Sequence, residues 1–130
     1  MLALVADDDA ILLRLVSRIC AQAGLRVTAC ASGRELVDAA RRLRPDLIIS
    51  DVNMPGSPGG LQACAAIRGE RPGTGIILMT GNPMVVPAIR DAGFTLILRK
   101  PFGIGEALRM IAAATKRPFA IMDGENTSPP

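Results

Sequence analysis

The 130-residue chain predicts an α/β fold, a five-stranded parallel sheet doubly wound by five helices. Three observations predict it. Short apolar, partly β-branched runs alternate along the chain with stretches whose apolar residues recur at helical spacing. Successive runs are far enough apart for crossover helices, and right-handed crossovers place helices on both faces of a sheet. Four of the runs are followed directly by chemically matched polar residues: Asp7-Asp8-Asp9, Asp51, Thr80 and Lys100. In open α/β sheets that carboxyl edge is where ligands and chemistry collect.

Leu2-Ala3-Leu4-Val5-Ala6 reads as the first strand, closed by the three aspartates. Ile11, Leu12, Leu15, Val16, Ile19 and Cys20 then recur at helical spacing, and Gly24 is placed to end that helix. A second strand is expected from Leu25 to Ala29. Ser32-Gly33-Arg34-Glu35 fits a capping box, because the serine oxygen can accept the amide three residues on while the glutamate reaches back. Leu36, Val37, Ala40 and Leu43 form the apolar stripe behind it, and Pro45 stops the helix. Leu47-Ile48-Ile49-Ser50 is short enough for a buried central strand, and it ends at Asp51. The stretch from Val52 to Gly60 is too rich in Pro and Gly to continue either regular structure.

Leu61 to Arg68 is expected as a short helix, and Gly75 to Met79 as a buried strand that runs into Thr80-Gly81. Asn82 to Ala92 should hold a helix, but Pro83 and Pro87 both fall inside it. A proline can open a helix, whereas inside one it removes a hydrogen bond, so a short helix that is regular only after Pro87 is expected. Phe94 to Leu98 completes the strands, and Ile104 to Thr115 is the closing helix. From Arg117 the composition is that of a tail or linker, although Pro118-Phe119-Ala120-Ile121-Met122 is apolar enough to dock.

Composition narrows the function. Hydrophobic residues make up 49% of the chain, yet no run reaches the ~20 residues needed to cross a bilayer. The chain enters a strand at once, with no signal or transit segment, so a cytoplasmic protein is the expectation. The net charge of +3 is mild, and basic groups such as Arg41-Arg42-Leu43-Arg44 suit a solvated helix end. With no Trp or Tyr and three Phe there are few rings for bases to stack on, so nucleic-acid binding by this chain alone is not expected. Cys20, Cys30 and Cys64 lack metal-ligand spacing and there is no His, which leaves them as reduced, buried hydrophobes.

The rim carries the chemistry. Several carboxylates at one sheet edge repel one another unless a cation neutralises them, and an all-oxygen set suits Mg²⁺. Lys100 brings a compact charge suited to a phosphoryl oxygen, Thr80 a hydroxyl, and Gly81 an absence of bulk. A carboxylate beside a metal and a lysine is a credible phosphoryl acceptor, since such transfer depends on positioning and charge stabilisation. A lone strand-end aspartate serves equally well as a helix cap or turn brace; its company distinguishes Asp51.

Val5-Ala6-Asp7-Asp8-Asp9, the run from Pro45 through Asp51 to Pro55, Met79-Thr80-Gly81 and Lys100-Pro101-Phe102 together resemble the receiver domain of two-component response regulators. The resemblance spans about residues 1 to 116, leaving 117–130 as a tail or linker, and implies a flavodoxin-like sheet of order 2-1-3-4-5. It implies that Asp51 accepts a phosphoryl group from a phosphohistidine on a histidine kinase or histidine phosphotransfer protein. It further implies Mg²⁺ held by Asp7, Asp8, Asp51 and the backbone carbonyl of Asn53, with Thr80 and Lys100 on the phosphoryl oxygens. Such a module catalyses only its own phosphorylation and dephosphorylation. Asp9 has no required role and is expected to face solvent or cap the first helix.

The chain also departs from that pattern. Ile97 stands three residues before the lysine, where Tyr or Phe is common, so any switch must use Thr80, backbone shifts and helix repacking. Leu96 replaces a small or polar residue, and the loop through Gly56 to Gly60 runs a residue longer than usual. Met84, Val85 and Val86 are either core or an exposed patch offered to a downstream partner or a second copy. Two other functions compete. A phosphatase of the haloacid dehalogenase type would use Asp7-Asp8-Asp9, Thr80 and Lys100, but needs further strand-end acids after the lysine and leaves the Asp51 motif unexplained. A receiver-like binding module that never takes phosphate is the other, and the complete set of polar residues argues against it. No effector domain fits after the last helix, so a stand-alone regulator, favoured by Met1 at the first strand, and the receiver part of a longer protein are both open.

Overall fold

A computed structural model describes residues 1–116; the expected tail, including Pro118 to Met122, lies outside the described residues. Strands β1 (Leu2–Ala6), β2 (Arg26–Cys30), β3 (Leu47–Asp51), β4 (Gly75–Thr80) and β5 (Ile97–Arg99) form one parallel sheet in the order 2-1-3-4-5. Helices α1 (Ala10–Gln22), α2 (Gly33–Leu43), α3 (Gly60–Glu70), α4 (Val86–Asp91) and α5 (Ile104–Thr115) connect and follow them. The doubly wound architecture is therefore as expected.

The two-residue period of the strands splits the core. Along β1, Ala3 and Val5 face a cluster with Val16, Ile19 and Cys20 of α1 and Leu108 and Ile111 of α5. Leu4 and Ala6 face the other cluster, with Leu36 and Ala40 of α2, Ala63 and Ile67 of α3, and Ile89 of α4. Both faces are covered, which is why the central strands read as continuous apolar runs.

Local signals set the helix starts. The Asp9 carboxylate caps α1, accepting from Ile11 N at 2.9 Å and Leu12 N at 3.3 Å, one of its two expected roles. Ser32 Oγ accepts from Glu35 N at 3.1 Å, while Glu35 Oε1 reaches back to Ala31 N at 3.0 Å, one residue before the cap itself. Gly24, at φ +89°, turns the chain out of α1 as expected. Strand β2 starts one residue later than expected, and α3 extends over both ends of the expected 61–68 helix.

The fifth strand requires a real correction. The sequence predicts it over Phe94 to Leu98, whereas it occupies Ile97–Arg99, pairing with Leu78 to Thr80. Phe94 instead lies before the strand, buried beneath Arg68, whose guanidinium sits 4.2 Å from the ring centroid and donates to Gly93 O at 2.7 Å. Burial of the ring and that hydrogen bond decide the placement where β-propensity alone favours a longer strand. The segment between β4 and β5 follows the proline argument: a 3₁₀ turn at Pro83–Val85, then a six-residue α4 with Pro87 near its start.

The three cysteines are free and buried. Burial pushes the Cys20 and Cys64 thiols up to about 12 and Cys30 to about 11, so all stay protonated at neutral pH. Among the described residues no helix is long and apolar enough to cross a membrane.

Candidate functional site

The carboxyl edge of the sheet gathers the polar residues that end its strands. Asp7 leaves β1 and is almost wholly buried; its amide donates to Cys30 O at 3.2 Å, and its Oδ1 accepts from Asp9 N at 2.9 Å. Asp8 is exposed beside it. Asp51 ends β3, its side chain 14% exposed. Ligand oxygens of Asp7, Asp8 and Asp51 all lie within 4.8 Å of one another.

Lys100 comes from the far side of β4, where its amide donates to Thr80 O at 2.8 Å just beyond the β5 ladder. Its Nζ reaches both acids, standing 3.2 Å from Asp7 Oδ2 and 3.3 Å from Asp51 Oδ1. The Asp51 carboxyl is nonetheless held above its ordinary value. Burial raises it most, Lys100 pulls the other way, and Asp7 and Asp8 reinforce the rise. One ammonium group thus leaves the three carboxylates under-neutralised. A hard divalent cation with oxygen ligands fits this donor set, and it would supply the missing positive charge.

Thr80, at the end of β4, is buried with its hydroxyl engaged locally: Oγ1 accepts from Asn82 N at 3.0 Å and donates to Asn82 O at 3.3 Å. Asn82 was not singled out from the sequence; the Thr-Gly-Asn turn directly after a strand is the signal that could have found it. Asn53 lies exposed on the loop two residues beyond Asp51. A Cβ at Gly81 would stand 3.8 Å from Lys100 Cβ, an ordinary contact, so the space beside Lys100 does not itself demand glycine. Among the described residues the acid cluster includes nothing after Lys100, and Glu106 lies in the first turn of α5, so the haloacid dehalogenase arrangement finds no support.

The apolar stretch before α4 divides. Met84 is 82% exposed, whereas Val85 packs partly against the core and Val86 is half-buried. Of the two readings open for this stretch, exposure thus holds mainly for Met84, beside a helix that is short rather than full-length.

Comparison with known proteins agrees with this fold. The family model described as the response regulator receiver domain matches residues 3–112. The probable transcriptional regulatory protein TcrX of Mycobacterium tuberculosis is 34% identical over 116 residues, covering 88% of this chain and 49% of that protein. The DNA-binding transcriptional regulator NtrC of Klebsiella pneumoniae is also 34% identical over 116 residues, covering 87% of this chain and 24% of its own. The chain therefore spans half or less of these relatives. Among solved structures, the chemotaxis response regulator CheY4 of Vibrio cholerae superimposes with a TM-score of 0.78 at 32% identity, covering 87% of this chain and 97% of that one.

Proposed function

The chain belongs to the response regulator receiver domain family, and on that premise we propose that Asp51 is its phosphoacceptor. The carrying observation is the convergence of Asp7, Asp8 and Asp51 with Lys100 Nζ, 3.3 Å from Asp51 Oδ1. A carboxylate oxygen of Asp51 attacks the phosphorus of a phosphohistidine; the new O–P bond forms as the P–N bond breaks, and the imidazole nitrogen leaves with the electron pair and takes up a proton. Lys100 stabilises charge on the phosphoryl oxygens and holds Asp51 in place. Thr80 meets the same oxygens once its hydroxyl turns from Asn82. Asp7, Asp8, Asp51 and the Asn53 carbonyl hold Mg²⁺, which neutralises the gathered charge when bound.

Receiver domains are signalling modules rather than enzymes in the ordinary sense, and in this reading the chain catalyses only the gain and loss of its own phosphoryl group. The donor is a histidine kinase or histidine phosphotransfer protein in the cytoplasm. Because the donor must reach Asp51, it has to dock around the rim, and Ile11, 80% exposed in the first turn of α1, offers it an apolar contact there. With Ile97 half-buried in place of an aromatic ring, the phosphorylated state is transmitted by Thr80 and the short segment carrying Met84, to a downstream partner or a second copy. Residues 1–116 form the receiver domain and 117–130 a tail or linker. Intact-mass measurement after incubation with a small phosphodonor and Mg²⁺ tests the assignment. One phosphoryl group should add to the wild type and none to Asp51→Asn; a gain that survives the substitution overturns it.

A further inference from the structure

The loop from Val52 to Gly59 carries Asn53 and joins the phosphoacceptor strand to α3. Its first residues are well anchored: Val52 N donates to Met79 O at 3.0 Å, Leu61 N donates to Val52 O at 3.2 Å, and Val52 and Met54 are buried. Two glycines then press backbone against backbone. At Gly60, the first residue of α3, an added Cβ would fall 1.8 Å from the carbonyl oxygen of Asp51. At Gly33, the first residue of α2, an added Cβ would fall 2.2 Å from Pro58 O and 3.1 Å from Gly59 O. Neither neighbour is the end of a flexible side chain, so neither can give way cheaply.

These contacts enclose the loop. On one side α3 abuts the phosphoacceptor's own carbonyl; on the other α2 abuts the loop's far arm. Helix α2 is itself tied down, with Leu36, Val37, Ala39 and Ala40 buried and Arg41 paired to Glu70 of α3 at 2.7 Å. A displacement of the Pro58 arm therefore passes into the loop more readily than into the helix. Mg²⁺ tolerates little displacement, because it demands near-ideal octahedral oxygen geometry.

We propose that Gly33, on a helix that contributes nothing to the rim, is a positioning residue for the cation site: its bare backbone lets α2 clamp the Val52-to-Gly59 loop at the height where the Asn53 carbonyl completes the ligand set. This rests on the assignment of Asp51 and Asn53 made above. A side chain at position 33 must push Pro58 away by about an ångström, and disturbing the groups that orient a metal's ligands typically costs about ten- to a hundredfold in metal affinity.

The test is Mg²⁺ affinity by titration calorimetry on the full chain, set beside thermal stability. Gly33→Ala should weaken Mg²⁺ binding tenfold or more. Leu36→Ala lowers the stability of the same helix without adding bulk against Pro58 and should leave the affinity within about twofold. Gly59→Ala, whose Cβ would meet the flexible end of Gln62 at 2.8 Å and no backbone closer than Met54 O at 3.8 Å, should behave like Leu36→Ala. If Gly33→Ala does not fold, Pro58→Gly loosens the clamped arm from the other side and should weaken binding severalfold. Unchanged Mg²⁺ affinity in Gly33→Ala, or in Pro58→Gly where that variant stands in, overturns the clamp while leaving the phosphoacceptor reading intact. A wild-type chain that takes up no Mg²⁺ overturns both.

Discussion

Helices α2 and α4 cover opposite ends of the same sheet face and are held in different ways. The first has eleven residues, a side-chain cap from Ser32 and five buried positions, so its own sequence specifies it. The second has six residues, no side-chain cap and one buried residue, Ile89. What places it comes from outside: Arg68 of α3 reaches across to Gly93 O, and Phe94 fills the space beneath. A helix anchored by its own stripe resists displacement, whereas one held by a neighbour's side chain is open to repacking. The rim lies across the join, with Asp7 and Asp51 from the α2 half and Lys100 from the α4 half. Lys100 therefore ties the two acids to the less anchored side.

The largest test of this contrast is in packing. Leu36→Ala, at a fully buried position, should cost about 3 kcal/mol in denaturant unfolding, while Met84→Ala should stay within ~0.5 kcal/mol. Comparable losses at the two positions would break the comparison.

The rim gives the next effect. A folded-state carboxyl raised above its ordinary value of 3.8 means that ionised Asp51 opposes folding; the penalty is absent well below that pH and fully present once the pH exceeds the raised value. Asp51→Asn should therefore raise Tm at pH 7, with the margin shrinking as the pH falls towards 3.8. Saturating Mg²⁺ at a hundredfold excess over Kd should add about 2.7 kcal/mol to the wild type and much less to the variant. Equal Mg²⁺ stabilisation of both would show that Asp51 is no ligand.

The smallest effect sharpens the contrast at the helix ends. Ser32→Ala removes the α2 cap and should cost about 1 kcal/mol by thermal unfolding. An effect near zero would mean that tertiary packing alone holds α2, as it holds α4.

The legible parts of this chain are those encoded over a few residues. Leu47 to Ser50 announces a buried strand, Ser32 and Glu35 a helix start, and Pro83 and Pro87 a broken helix, and all three appear in the structure. The four polar residues at strand ends were equally readable, because a parallel sheet brings the ends of its strands to one edge whatever the details of packing.

The sequence by itself determined the order of elements, the sheet class and which acids, hydroxyl and ammonium group could share a rim. Only the tertiary structure decided that Phe94 leaves the fifth strand to lie under Arg68, that Lys100 bridges Asp7 and Asp51, and that Gly33 and Gly60 press on backbone from distant segments. The reason is range: periodicity, capping and proline act between near neighbours, whereas these contacts join residues 25 to 93 positions apart in all but one case, Gly60 against Asp51.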